Sequence, residues 1–115
     1  MKENYNGKYE AHYSITVNGS THNICKDAYN RFKFLVRAFD FGEFSIHEYK
    51  SVRKGPVLSR DLLITFTAYA SHIIAFEQAL DSVLFSISVY QIGICTATLN
   101  NRSVLRCDAL SDFRD

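Results

Sequence analysis

Polar and apolar side chains alternate through residues 8–17. Tyr9, Ala11, Tyr13, Ile15 and Val17 share one side, and Lys8, Glu10, His12, Ser14 and Thr16 the other. This two-residue period is that of a half-buried strand. Asn18-Gly19 follows at once, a pair favoured in two-residue type I′ turns because both positions take positive φ. Such a turn predicts a hairpin in which Val17 faces Ser20, Ile15 faces His22 and Tyr13 faces Ile24, with His22 on the apolar side. From Asp27, a candidate helix cap, the period changes. Ala28, Phe32, Leu35, Val36 and Phe39 recur at helical spacing, and Gly42 offers a left-handed stop. Phe34, Ala38 and Phe41 form a second apolar row. The helix is therefore covered on two sides, or part of it is a contact surface.

Residues 43–52 fit a less regular strand, with Phe44 and Ile46 on one face and His47 and Tyr49 on the other. Residues 51–56 read as a loop with Gly55-Pro56 as its turn signal. Leu62, Ile64, Phe66 and Ala68 then alternate with Leu63, Thr65, Thr67 and Tyr69, and two largely apolar faces place this strand centrally. Ser71 can cap a helix over 72–84 that carries Ile73, Phe76, Leu80, Val83 and Leu84 on one face. Beyond Leu84 the β-branched residues Ile87, Val89, Ile92 and Ile94 favour a strand, with a helix continuing to Gly93 as the competing reading. Asn100-Asn101 suggests another tight turn, and residues 108–115 a frayed tail. The sum is one α+β domain over 1–115: two layers, an antiparallel sheet with two helices, in the order β-β-α-β-β-α-β-β.

Composition narrows the class. The 115 residues are 47% hydrophobic and 14% aromatic, with nine Phe, seven Tyr and one Pro, which suits a packed domain. No apolar stretch follows Lys2, so no signal peptide is expected, and the polar residues interleaved through 82–101 argue against a membrane span. Three cysteines without a CxxC pair suit free thiols and a cytoplasmic location. The sequons at Asn18 and Asn101 carry little weight without a signal peptide.

Net charge is +1, but it is unevenly spread. Residues 26–60 are net basic and 61–115 net acidic, and Lys50, Arg53, Lys54 and Arg60 concentrate positive charge around one loop. By contrast, the 38 residues of 62–99 carry only Glu77 and Asp81. So little charge suggests a covered surface, with a homodimer the simplest cover. No metal-ligand spacing links His12, His22, His47 and His72, no glycine-rich loop cradles a phosphate, and no cofactor motif is present.

The aromatic surplus is the most distinctive feature. Tyr5, Tyr29, Phe34, Phe41 and Tyr49 are the rings expected at the surface, where aromatics anchor protein partners. The expected function is a non-enzymatic interaction or inhibitor module that occludes a protein partner, which could itself carry nucleic acid. Phage or mobile-element inhibitors of host defence, anti-CRISPR proteins among them, are the class with this character. Tyr29, Phe34, Phe41 and Tyr49 would supply contact area, while Lys50, Arg53, Lys54 and Arg60 steer encounter. A nucleic-acid or nucleotide-binding module using the basic loop 50–60 is the first alternative. A small enzyme with a Cys/His site is the second.

Overall fold

The computed structural model of the chain describes residues 7–39, 41, 43–90 and 95–107. Its elements are β1 (Lys8–Gly19), α1 (His22–Phe39), β2 (Glu43–Glu48), β3 (Val52–Lys54), β4 (Val57–Tyr69), α2 (Ala70–Tyr90) and β5 (Cys95–Arg106). Every paired strand is antiparallel to its neighbour, and the order β2-β4-β1-β5 puts β4 and β1 in the middle. The short β3 follows β2 along the same edge of β4. Setting β3 aside, two β-α-β units interleave in a β-α-β-β-α-β order, which is the ferredoxin-like arrangement. The α+β class, two helices on an antiparallel sheet, is as the periodicities predict. Among the described residues no helix is long and apolar enough to cross a membrane.

The expected first hairpin is replaced by a crossover. β1 pairs with β4 along one edge and β5 along the other, up to Gly19, so no edge is left for residues 20–24. The chain turns at Ser20-Thr21 and enters α1, where the Thr21 hydroxyl accepts the Ile24 amide at 3.2 Å. Thr21 is thus the N-cap, and Asp27 lies exposed inside the helix. His22 opens α1, exposed, rather than facing the core. Gly19 serves close approach: a Cβ there would lie 3.0 Å from both Cys25 Sγ and Ile24 Cγ2. Left-handed φ belongs to Gly55, at 62°, in the turn joining β3 to β4.

Three further boundaries move. The strand expected over 43–52 divides into β2 and β3, and the loop expected at 51–56 is mostly the β3–β4 hairpin. α2 runs to Tyr90 instead of yielding to a strand after Leu84, because Ile87 continues the stripe of Ile73, Phe76 and Leu80 into the core. Its β-branched residues lose only tenths of a kcal/mol of helix propensity, roughly, which burial outweighs. At Asn100-Asn101 the chain does not turn: Ser14 pairs Asn101 while Ile15 pairs Leu99, so Asn100 is a bulge within β5. The element order is therefore β-α-β-β-β-α-β. The expectations for Tyr5, Gly42, residues 91–94 and the tail 108–115 lie outside the described residues.

The core lies between the helices and one face of the sheet. Ala11, Tyr13, Ile15 and Val17 from β1 meet Leu62, Ile64, Phe66 and Ala68 from β4, roofed by Cys25, Ala28, Phe32, Leu35 and Val36 of α1 and Ile73, Phe76, Leu80 and Ile87 of α2. The other face of the sheet is mostly polar, with Ser14, Thr16, Thr65 and Thr67 half-buried beside Leu63 along the central strands and Leu105 exposed on β5.

Candidate functional site

The outward side of the helical layer departs from an ordinary solvated surface. On α1, Phe34 is 75% exposed amid the exposed polar residues Lys26, Asp27, Asn30, Arg31 and Arg37. On α2, the exposed residues among those described are Ser71, His72, Ile74, Ala75, Gln78, Asp81, Ser82 and Phe85, with Asp81 the one carboxylate and no Lys or Arg among them. Ile74 is 60% and Phe85 70% exposed. Between the helices lies a groove of about 400 Å³ lined by Asp27, Asn30, Arg31, Phe34, Leu35, Ala38 and Val83. Arg31 bridges the helices, donating to Ser86 Oγ at 3.2 Å.

The aromatics expected at the surface separate. Phe34 lines the groove. Tyr29 is half-buried on α1 beneath Lys33, whose Nζ sits 5.8 Å from the ring centroid. Tyr49 is exposed beyond β2, edge-on to His47 with centroids 4.4 Å apart. Phe41 is a correction: it is only 6% exposed, stacked on Phe66 with centroids 4.0 Å apart and also against Phe39 and Phe76. The segment after α1 turns Phe41 into the core, a position that helical spacing continued past Phe39 misplaces.

The basic cluster divides too. Lys50, Arg53 and Lys54 are exposed, and Arg53 donates to the Ser20 carbonyl at 3.5 Å, which holds the hairpin beside the start of α1. Arg60 points to the helix side, where it donates to Glu48 Oε2 at 2.5 Å and Ser51 Oγ at 2.7 Å, and meets His22 Nδ1 at 3.3 Å. Arg60 is a tether between β4, the β2–β3 link and α1, and its charge is matched by Glu48.

A polar cluster that the sequence reading missed sits beneath α2. The Tyr13 hydroxyl donates to Glu77 Oε2 at 2.6 Å, and Arg102 donates to the same oxygen through Nε at 2.9 Å and Nη2 at 2.6 Å. These three, with Leu80, Asp81 and Leu99, line a cavity of about 240 Å³. Burial first, then the hydrogen bond and charge of Glu77, push the Tyr13 hydroxyl well above the usual phenol range. Two signals pointed to this cluster: Tyr13 on the inward side of a strand needs an acceptor, and Glu77 is one of just two charges in 62–99.

The two buried thiols are not activated. Burial pushes Cys95 up to about 11 and raises Cys25 as well, the opposite of the shift that makes a thiolate nucleophile. Among the described residues no three His, Cys, Asp or Glu side chains converge as metal ligands.

No protein family and no curated protein matches the sequence. Among solved structures the chain is similar to the de novo designed protein Foldit4, at 9% identity over 82% of this chain and 96% of that one, with a TM-score of 0.58. It is similar to part of an amidase of the hydantoinase/carbamoylase family from Burkholderia phymatum, at 9% identity over 90% of this chain and 29% of that one, TM-score 0.50. A dimeric ferredoxin-like protein from an uncultured marine organism aligns at 12% identity over 87% and 94%, TM-score 0.47. At such identities the likeness is one of fold alone.

Proposed function

We propose that the chain is a non-enzymatic protein-interaction module that self-associates through the outer side of its helical layer and acts by occluding an acidic partner from the basic margin of that layer. The observation that carries this reading is the row of outward apolar side chains, Phe34, Ile74 and Phe85, beside an apolar groove on a helix pair where α2 offers almost no charge. Aromatic anchors next to a groove are what interfaces are built on. Lys50, Arg53 and Lys54 extend the basic side of α1, so encounter is steered toward acidic surfaces. The raised thiols and the Glu77 carboxylate neutralised by Arg102 favour binding over chemistry.

A photo-cross-linking residue tests this when placed at Phe34 or, as a control, at His12 on the open sheet face. In the chain's own cells, protein adducts are expected from position 34 and few from 12. Adducts from 12 alone, or from neither, would remove the helical layer as the working surface.

A further inference from the structure

We infer that a second copy of this chain covers the helical layer, docked about a two-fold axis parallel to the helices, so that α1 of each copy lies on α2 of the other. This rests on reading the layer as a contact surface and adds its occupant and geometry.

The helices are antiparallel, because α1 leaves the end of β1, α2 leaves the end of β4, and those strands are themselves antiparallel. Two such layers can meet face to face about a two-fold in two ways. An axis across the helices stacks α1 on α1 and α2 on α2; an axis along them stacks α1 on α2. Charge separates the two. α1 carries Lys26, Arg31, Lys33 and Arg37 against Asp27 alone, whereas the outer side of α2 carries Asp81 and no Lys or Arg, Glu77 being held beneath the helix by Tyr13 and Arg102. Stacking α1 on itself sets like charges together, and stacking it on α2 sets opposite charges together.

The second arrangement also fits in detail. A two-fold along the helices preserves axial level, and the level is fixed by the Arg31–Ser86 contact. One turn further along α1, Phe34 therefore lies over the partner's Ser82 and the partner's Phe85, and Arg37 lies level with the partner's Asp81. By symmetry each exposed Phe85 reaches the other copy's groove, whose volume of about 400 Å³ accommodates a phenyl ring. Knob and groove on one molecule make an isologous contact that closes at two copies. The area suffices: helices of 18 and 21 residues side by side span about 27 Å by 20 Å, and their ridged surface approaches the ~800 Å² per partner of a standard interface. The β3–β4 hairpin with Arg53 and Lys54, and Lys50 just before it, stays at the margin, open to a further partner.

Sedimentation equilibrium of the full chain, with circular dichroism to confirm folding, tests the arrangement. A two-chain mass is expected at about 100 µM. Phe34→Asp and Phe85→Asp, both at exposed positions, should abolish it. Arg37→Glu and Asp81→Arg should each weaken association about tenfold, two symmetric pairs being lost at once, and the double variant should recover it. A one-chain mass overturns the inference, as does a dimer indifferent to both Phe variants. A dimer tightened by Arg37→Glu overturns it too, since relief of repulsion is the mark of α1 on α1. A one-chain mass together with adducts to another protein from position 34 would leave the interaction reading standing, whereas no adducts would remove both.

Discussion

Tyr13, Glu77 and Arg102 show what one buried hydroxyl demands. Tyr13 is fully buried, its oxygen must find a partner, and Glu77 brings a charge that Arg102 then balances. Glu77→Ala orphans the hydroxyl and leaves Arg102 unpaired, so a loss of about 2 kcal/mol is expected. Tyr13→Phe removes one donor from a carboxylate that keeps Arg102, and should cost about half as much. Urea midpoints compare the two. The raised thiol makes a separate pH test. Folded Cys95 titrates near 11 rather than near 9, so its contribution is complete below pH 9 and disappears as pH rises through 11. Stability should fall over that alkaline window, and less steeply in Cys95→Ala; equal slopes would remove the assignment. Glycine 19 illustrates why single residues mislead: Asn18-Gly19 has turn chemistry, yet the missing Cβ makes room for Cys25 and Ile24. Gly19→Val should therefore destabilise by about 1–3 kcal/mol through crowding, seen as a lowered Tm.

At the scale of elements, periodicity located β1, α1, β4 and the first turns of α2 because each buries one face or is central. It failed where the deciding partner is distant in sequence. Nothing within residues 17–24 announces that β5, some eighty positions away, holds the edge of β1 that a hairpin would need. The end of α2 was ambiguous for a different reason: isoleucine and valine favour strands by propensity, and only packing of Ile87 under the helix decides otherwise. Ser86→Pro checks the boundary. Inside a helix it should cost about 3 kcal/mol and reduce far-UV helical signal, whereas a strand beginning at residue 85 would leave that signal unchanged.

For the molecule as a whole, the scarcity of charge in 62–99 was the most informative line of the sequence, and the fold accounts for it in two parts. Much of the segment is β4, central in the sheet, and the inward stripe of α2. Another part is the outer side of α2, where Ile74, Ala75, Gln78, Ser82 and Phe85 stand exposed. Phe34 and the cations of the β3–β4 hairpin were identifiable from composition and pattern. Burial of Phe41 and capture of Arg60 by Glu48 were not, since both depend on where the chain goes after its helix and strand end.

The extra residue in β5 bears on how this domain tolerates changes in length. Because Asn100 faces no residue of β1, Leu99 and Asn101 already stand opposite consecutive positions, Ile15 and Ser14. Excising Asn100 would leave both ladders in step and keep Arg102 under α2, at the expense of the amide's bond to Thr16. Excising Thr65 from β4, paired on both edges, would reverse inside and outside for half a strand. The first shortened chain should melt within a few degrees of the parent and the second should not fold, marking Asn100 as a place where the gene can gain or lose a codon without rewriting the protein's interior.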